Sequence, residues 1–146
     1  MPKINSKIFK AYDIRGKYPA EINEQAVSEI SKNIGSYFSK LTAGHKAKIV
    51  VAHDARLSSP SLYKAVIKGV KIQDSRFKII EVGLSTTPMF YFLVKKMNAI
   101  GGLMITASHN PKNYNGLKIV DKNALPISGI QILKLMKSTQ RSKIRL

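Results

Sequence analysis

Residues 48–60, KIVVAHDARLSSP, set the fold class. Ile49, Val50, Val51 and Ala52 form a short apolar, largely β-branched run, the pattern of a strand buried on both faces. It runs straight into the polar cluster His53-Asp54-Ala55-Arg56. Ser59 followed by Pro60 then signals a helix start: a hydroxyl that can cap free N–H groups, and a ring whose fixed φ suits the first turn. Buried strand, polar loop and helix in that order make the repeating unit of an α/β layered domain.

Outward from this stretch the alternation continues. On the N-terminal side, Ile22, Ala26, Val27, Ile30, Ile34, Tyr37, Phe38 and Leu41 fall on one helical face, with Asn23 placed to cap its start. Asp13-Ile14-Arg15-Gly16 reads as a turn, with Gly16 available for a left-handed conformation. On the C-terminal side a helix runs to about Ile72 with Leu62, Val66 and Val70 at helical spacing. Phe77 to Val82 reads as a strand ended by Gly83, and Thr87-Pro88 opens a helix to about Asn98. Ala99 to Ile105 suits a central strand, and Leu117 to Val120 a short one. Ser128 with Gln131 is a capping-box pattern opening a last helix. That helix fades into a basic, acid-free tail, 138–146, expected to fray.

The chain has 146 residues, 44% hydrophobic and 23% charged, enough for one domain with a core that needs no staples. It has no Cys, which excludes a disulfide framework and thiolate metal sites and fits a reducing compartment. The longest apolar run is too short for a bilayer and the polar N-terminus lacks a secretory core, so the expectation is a soluble cytoplasmic domain. Twenty-five Lys+Arg against eight Asp+Glu give a net charge of +17. Lys dominates the cations and the excess is spread along both halves. That pattern favours a solvated basic surface over a specific nucleic-acid site, since Arg is the preferred reader of bases and bidentate binder of phosphate.

Three polar loops adjoin strand ends, where open α/β sheets place ligands: His53 to Ser59, Thr106 to Asn115, and Asp13 to Gly16. Thr106-Ala-Ser-His-Asn-Pro111 is the densest. A serine can carry a phosphoryl group and split a hard transfer into two easier ones. A phosphate on Ser108 would bring close to two negative charges and so needs cations. His109 and Lys118 are candidates, with Arg15 if the fold brings it near, and His109 also has a proton affinity suited to transfer near neutrality. Spacing alone leaves open a plainer alternative, in which Ser108 and Asn110 only shape a turn and His109 is a surface residue. Without a Gly-x-Ser-x-Gly elbow, Ser108 beside His109 does not make a hydrolase. Arg15 suits a phosphate clamp, or else a surface pair with Asp13. His53 and Asp54 lack a second ligand pair at metal spacing, so Asp54 and Arg56 are expected to hold their own loop together.

Four blocks together resemble a known family: Phe9-Lys-Ala-Tyr-Asp-Ile-Arg-Gly16, His53-Asp-Ala-Arg-Leu-Ser58, Thr106-Ala-Ser-His-Asn-Pro111 and Asn113-Tyr-Asn-Gly-Leu-Lys118. In order and spacing they are similar to the first, phosphoserine-carrying domain of the α-D-phosphohexomutases, the phosphoglucomutases and phosphomannomutases, over about residues 8–137. The resemblance implies a three-layer α/β/α domain with a mixed, mainly parallel sheet. It implies that Ser108 exchanges a phosphoryl group with a hexose phosphate through a hexose bisphosphate, and that its phosphate oxygen is one Mg²⁺ ligand. His109 and Lys118 would then handle protons and steady the phosphate, while Tyr12, Arg15 and Asn110 would bind substrate. Family members have four domains, with an Asp-x-Asp-x-Asp-Arg metal loop, a sugar-reading loop and a phosphate-binding loop in the other three. None of these loops is in this sequence, so the expectation is a chain that needs those domains, in cis or in trans, and is inactive alone. His53 stands where the family commonly has Arg or another residue, and Leu117 where it usually has Phe. A contrasting reading is a non-enzymatic basic module binding RNA or another polyanion. Met89, Tyr91 and Phe92 are candidates for an apolar patch left exposed by absent neighbours.

Overall fold

The computed structural model describes residues 3–144. After a 3₁₀ turn at Ser6–Ile8 come β1 (Ile14–Lys17), α1 (Glu24–Leu41), β2 (Ala47–His53), α2 (Ser59–Gln73), β3 (Phe77–Leu84), α3 (Thr87–Lys96), β4 (Gly101–Ile105), β5 (Tyr114–Asp121), β6 (Pro126–Ile127) and α4 (Gly129–Ile144). The sheet order is β1-β5-β4-β2-β3, with β6 also on β5. β4, β2 and β3 pair in parallel, and β5 is antiparallel to β4, β1 and β6. Five of the six strands therefore point the same way and β5 alone opposes them. The sheet is mixed and mainly parallel.

Strand alternation splits the core into two clusters. Ile49, Val51, Leu103, Ile105, Leu117 and Ile119 face α1, α2 and α4, where they meet Ile30, Ile34, Phe38, Leu62, Val66, Val70 and Ile132. Val50, Ala52, Met104 and Val120 face α3 and pack on Phe90 and Val94. Three layers result, as a doubly covered parallel sheet requires. Of the three residues expected in an apolar patch, Met89 and Phe92 are 49% and 57% exposed, while Tyr91 packs partly against the α3-side cluster. Among the described residues no helix is long and apolar enough to cross a membrane.

Several local expectations are corrected. Residues 14–17 are a strand, not a turn, because β5 offers a free edge there. Gly16 keeps an ordinary strand φ and is small for another reason: a Cβ would lie 2.9 Å from Ile8 Cγ2 and 3.0 Å from Glu21 Cβ. β5 begins three residues earlier than Leu117 because its first half pairs with β1. The α2 cap position is Ser58, without a side-chain capping bond, and Ser59 is buried with its hydroxyl committed elsewhere. Thr86, one residue before Thr87, caps α3 by accepting from the Met89 N–H. Two expectations hold in detail: Asn23 Oδ1 accepts from the Ala26 N–H at 3.0 Å, and Ser128 and Gln131 form a reciprocal capping box. α4 continues to Ile144; residues 145–146 of the tail expected to fray lie outside the described residues.

The loop joining α2 to β3 is tied to the end of α1 by one carboxylate. Asp74 accepts from the Arg76 guanidinium at 2.7 and 3.0 Å and from Ser39 Oγ at 2.6 Å, and Arg76 also donates to the Gly44 carbonyl at 2.7 Å. The Arg76 hydrogen bonds, followed by that of Ser39, hold the Asp74 carboxyl well below the usual carboxylate range. A group depressed in this way stabilises the fold above its unfolded value of about 4 and loses that contribution as pH falls through the folded value. The wild type should therefore lose thermal stability from about pH 4 downward, and D74N should lose less over the same interval. Equal slopes in melting experiments would contradict this role for Asp74.

Candidate active site

The topology gathers the polar loops at one edge. His53 pairs with Leu84 on one side and Ile105 on the other, so β2, β3 and β4 end level and their following loops leave together. β1 begins where β4 ends, since Ile14 faces Leu117 and Leu117 faces Ile105. Asp13, although it precedes a strand, thus arrives at the carboxyl edge of its neighbours.

Ser108 sits on the loop after β4 with φ +54°, the left-handed region. That conformation costs a non-glycine residue about 1–2 kcal/mol. Within the loop, the Ser108 N–H donates to buried Thr106 Oγ1 at 3.1 Å and the Asn110 N–H to the Ala107 carbonyl at 3.1 Å.

The stronger restraint comes from the loop after β2. Arg56 Nη2 donates to the carbonyls of Ser108 (3.0 Å) and Asn110 (2.8 Å), and Nη1 to those of Pro111 (2.7 Å) and Tyr114 (3.2 Å). Its Nε donates to Asp54 Oδ2 at 3.2 Å. Asp54 Oδ1 accepts from the Arg56 N–H and from Ser59 Oγ at 3.1 and 2.5 Å. Asn115, fully buried at the start of β5, donates through Nδ2 to Ser58 Oγ (2.8 Å) and Ser59 Oγ (3.0 Å). Asp54 and Arg56 do hold their own loop together. They also lock it to the Ser108 loop, and that second role is absent from the sequence reading.

On the other flank, Asp13 gathers the cations. It is only 2% exposed, so its pair with Arg15 is not a surface one: Oδ2 lies 2.8 Å from Arg15 Nε and 3.9 Å from Lys118 Nζ. Arg15 and Lys118, far apart in sequence, therefore share one carboxylate. Burial first, and then the negative charge of Asp13, push the Tyr91 phenol above its ordinary value.

A cleft of about 460 Å³ opens between these flanks, lined by Asp54, Thr86, Thr106, Ser108, His109 and Lys118 among others. A second hollow of about 600 Å³ adjoins it, lined by Arg56, Leu57, Ser108, Asn110 and Lys112. Ser108, His109 and Lys118 thus share one cleft, Arg15 lies one carboxylate away, and Asn110 lines the adjoining hollow. Tyr12, 75% exposed, lines neither. Among the described residues no group of three or more His, Asp or Glu could hold a metal ion, and both oxygens of Asp54 are already engaged. The residues present do not by themselves make a Mg²⁺ site.

A family model described as "Phosphoglucomutase/phosphomannomutase, alpha/beta/alpha domain I" matches residues 6–145. A phosphomannomutase of Klebsiella pneumoniae is 43% identical over 121 residues, which are 83% of this chain and 72% of that one. Phosphohexose mutases of Xanthomonas campestris pv. campestris (strain B100) are 43% identical over 121 residues, covering 82% of this chain but 25% of theirs. The chain spans about a quarter of that relative's length. The crystal structure of a phosphoglucomutase/phosphomannomutase family protein from Burkholderia thailandensis superposes with a TM-score of 0.80 at 32% identity, over 97% of this chain and 31% of that one.

The Asn115 contacts make a stability prediction. N115A leaves two hydroxyls beside α2 without their donor, so chemical denaturation should show a loss of about 1–3 kcal/mol. An unchanged midpoint and slope would show that the two loops do not depend on this bridge.

Proposed function

Because the chain belongs to the phosphoglucomutase/phosphomannomutase family, as a domain I, we propose that Ser108 is the phosphoryl carrier of a cytoplasmic mutase acting on hexose phosphates. One observation carries the proposal: a serine in the left-handed region at the mouth of a cleft that it shares with His109 and Lys118.

In this reading the phosphorylated Ser108 donates to a hydroxyl of a bound hexose phosphate. The Oγ–P bond breaks and a P–O bond to the sugar forms, giving a hexose bisphosphate. His109 takes the sugar hydroxyl's proton and delivers it to the departing Ser108 oxygen, so that the serine leaves as its hydroxyl and the protons balance. After the bisphosphate reorients, its other phosphoryl group returns to Oγ by the reverse step. Lys118 balances charge on the transferring group and Arg15 supports it through their shared partner Asp13. Such chemistry depends on position and charge neutralisation more than on covalent help from the protein. Tyr12 and Asn110 are proposed sugar-phosphate contacts at the rim.

A divalent ion such as Mg²⁺ would neutralise the phosphate further when bound. Its remaining oxygen ligands must come from other residues than those described here, in the same polypeptide or in a separate one. The chain alone is accordingly proposed to be inactive in steady-state isomerisation. The spread of Lys along the sequence gives the polyanion-binding alternative no comparable focus.

Peptide mapping by mass spectrometry of the protein isolated from its own cells should find one phosphoryl group, on Ser108. A Ser108 peptide free of phosphate in that material would contradict the proposal.

A further inference from the structure

We infer that Arg56 is a positioning residue for the Ser108 hydroxyl, acting through the backbone of the loop that carries it. All five N–H groups of its guanidinium have partners: one the Asp54 carboxylate, and four the carbonyls of Ser108, Asn110, Pro111 and Tyr114. The side chain is 14% exposed and its four carbonyl partners lie more than fifty positions along the chain, so it is no surface pair of convenience. The carbonyl of Ser108 itself is among the acceptors. That carbonyl belongs to the residue held at φ +54° that lines the cleft, so the bond restrains the backbone from which the hydroxyl projects.

The chemistry requires the planar fork and not the charge alone. An ammonium is a compact charge with three donors on a flexible stem and cannot span carbonyls spread over seven residues. Asp54 holds the fork from behind and is itself fixed by Ser59 Oγ, which Asn115 in turn holds. The block His53 to Ser59 therefore serves as a frame for the block Thr106 to Asn115. The geometric part of this inference stands on hydrogen bonds alone; its functional part rests on the reading of Ser108 as phosphoryl carrier.

The test uses R56K and R56A beside the wild type, with amide hydrogen exchange read residue by residue. In R56K, exchange should quicken at least tenfold across residues 108–114 while the core amides of β2 and β4 keep their protection. In R56A, millimolar guanidinium should restore protection to that loop and an equal concentration of sodium chloride should not. Phosphate occupancy of Ser108, measured after production in the protein's own cells, should fall at least tenfold in R56K. Loop protection and occupancy in R56K equal to the wild type would overturn the inference. So would loss of β2 and β4 protection in R56K, because the residue would then support the fold at large. If R56A does not fold, R56K decides alone. If the wild type carries no phosphate on Ser108, the proposed function fails and the exchange measurements still judge Arg56.

Discussion

One guanidinium holds the candidate site in shape. Hydrogen bonds to a charged group contribute about 1.5–3 kcal/mol each, against about 1–2 kcal/mol for a left-handed non-glycine residue. Four such bonds from Arg56 to the loop around Ser108 therefore exceed the strain of that residue by a wide margin, even after discounting for partial exposure. Arg56 is held in its turn: Asp54 fixes the fork, Ser59 fixes Asp54, and Asn115 ties Ser59 to the sheet. Without that sequence of contacts a polar loop of seven or eight residues would have little reason to keep a single conformation.

The sheet makes those contacts reachable. Parallel neighbours β2 and β4 deliver the two loops to the same edge, as parallel strands must. The single reversed strand, β5, adds what an all-parallel sheet could not. It returns from the Ser108 loop into the core beside β4, carrying Lys118 back along the wall of the cleft, and its outer edge pairs with β1. That pairing sets Asp13 and Arg15 against Lys118. The cationic flank is a product of one antiparallel insertion, and it collects residues from three separated segments into one site.

Much of this was legible in residue pattern. Apolar periodicity gave α1 through its buried face from Ala26 to Phe38, the β-branched run Ile49 to Val51 gave β2, and the short apolar stretch ending at Ile105 gave β4 despite its two glycines. The capping box of Ser128 and Gln131 appears bond for bond. What stayed hidden was pairing. Residues 14–17 look like a turn because Gly16 suggests one, yet an open edge on β5 recruits them, and only the register reveals that edge. Ser59 looks like a cap because Pro60 follows it, yet Asp54 and Asn115 claim its hydroxyl first. Arg56 looks like the partner of the nearest acid, which it is, but four of its five donors reach over fifty residues away. A usable signal was present all the same: Arg is scarce among the cations of this chain, and Arg15, Arg56 and Arg76 each sit where a carboxylate meets a fork.

The central claim is that the loop held by Arg56 presents Ser108 to Lys118 and His109 so that a phosphate on its oxygen is charge-neutralised. A ³¹P NMR titration of the Ser108-phosphorylated protein tests it directly. A free phosphoserine has a second ionisation near pH ~6; the account predicts a value clearly below this, returning toward it when Lys118 is replaced by Met. A resonance that titrates at the ordinary value in the wild-type protein would contradict it.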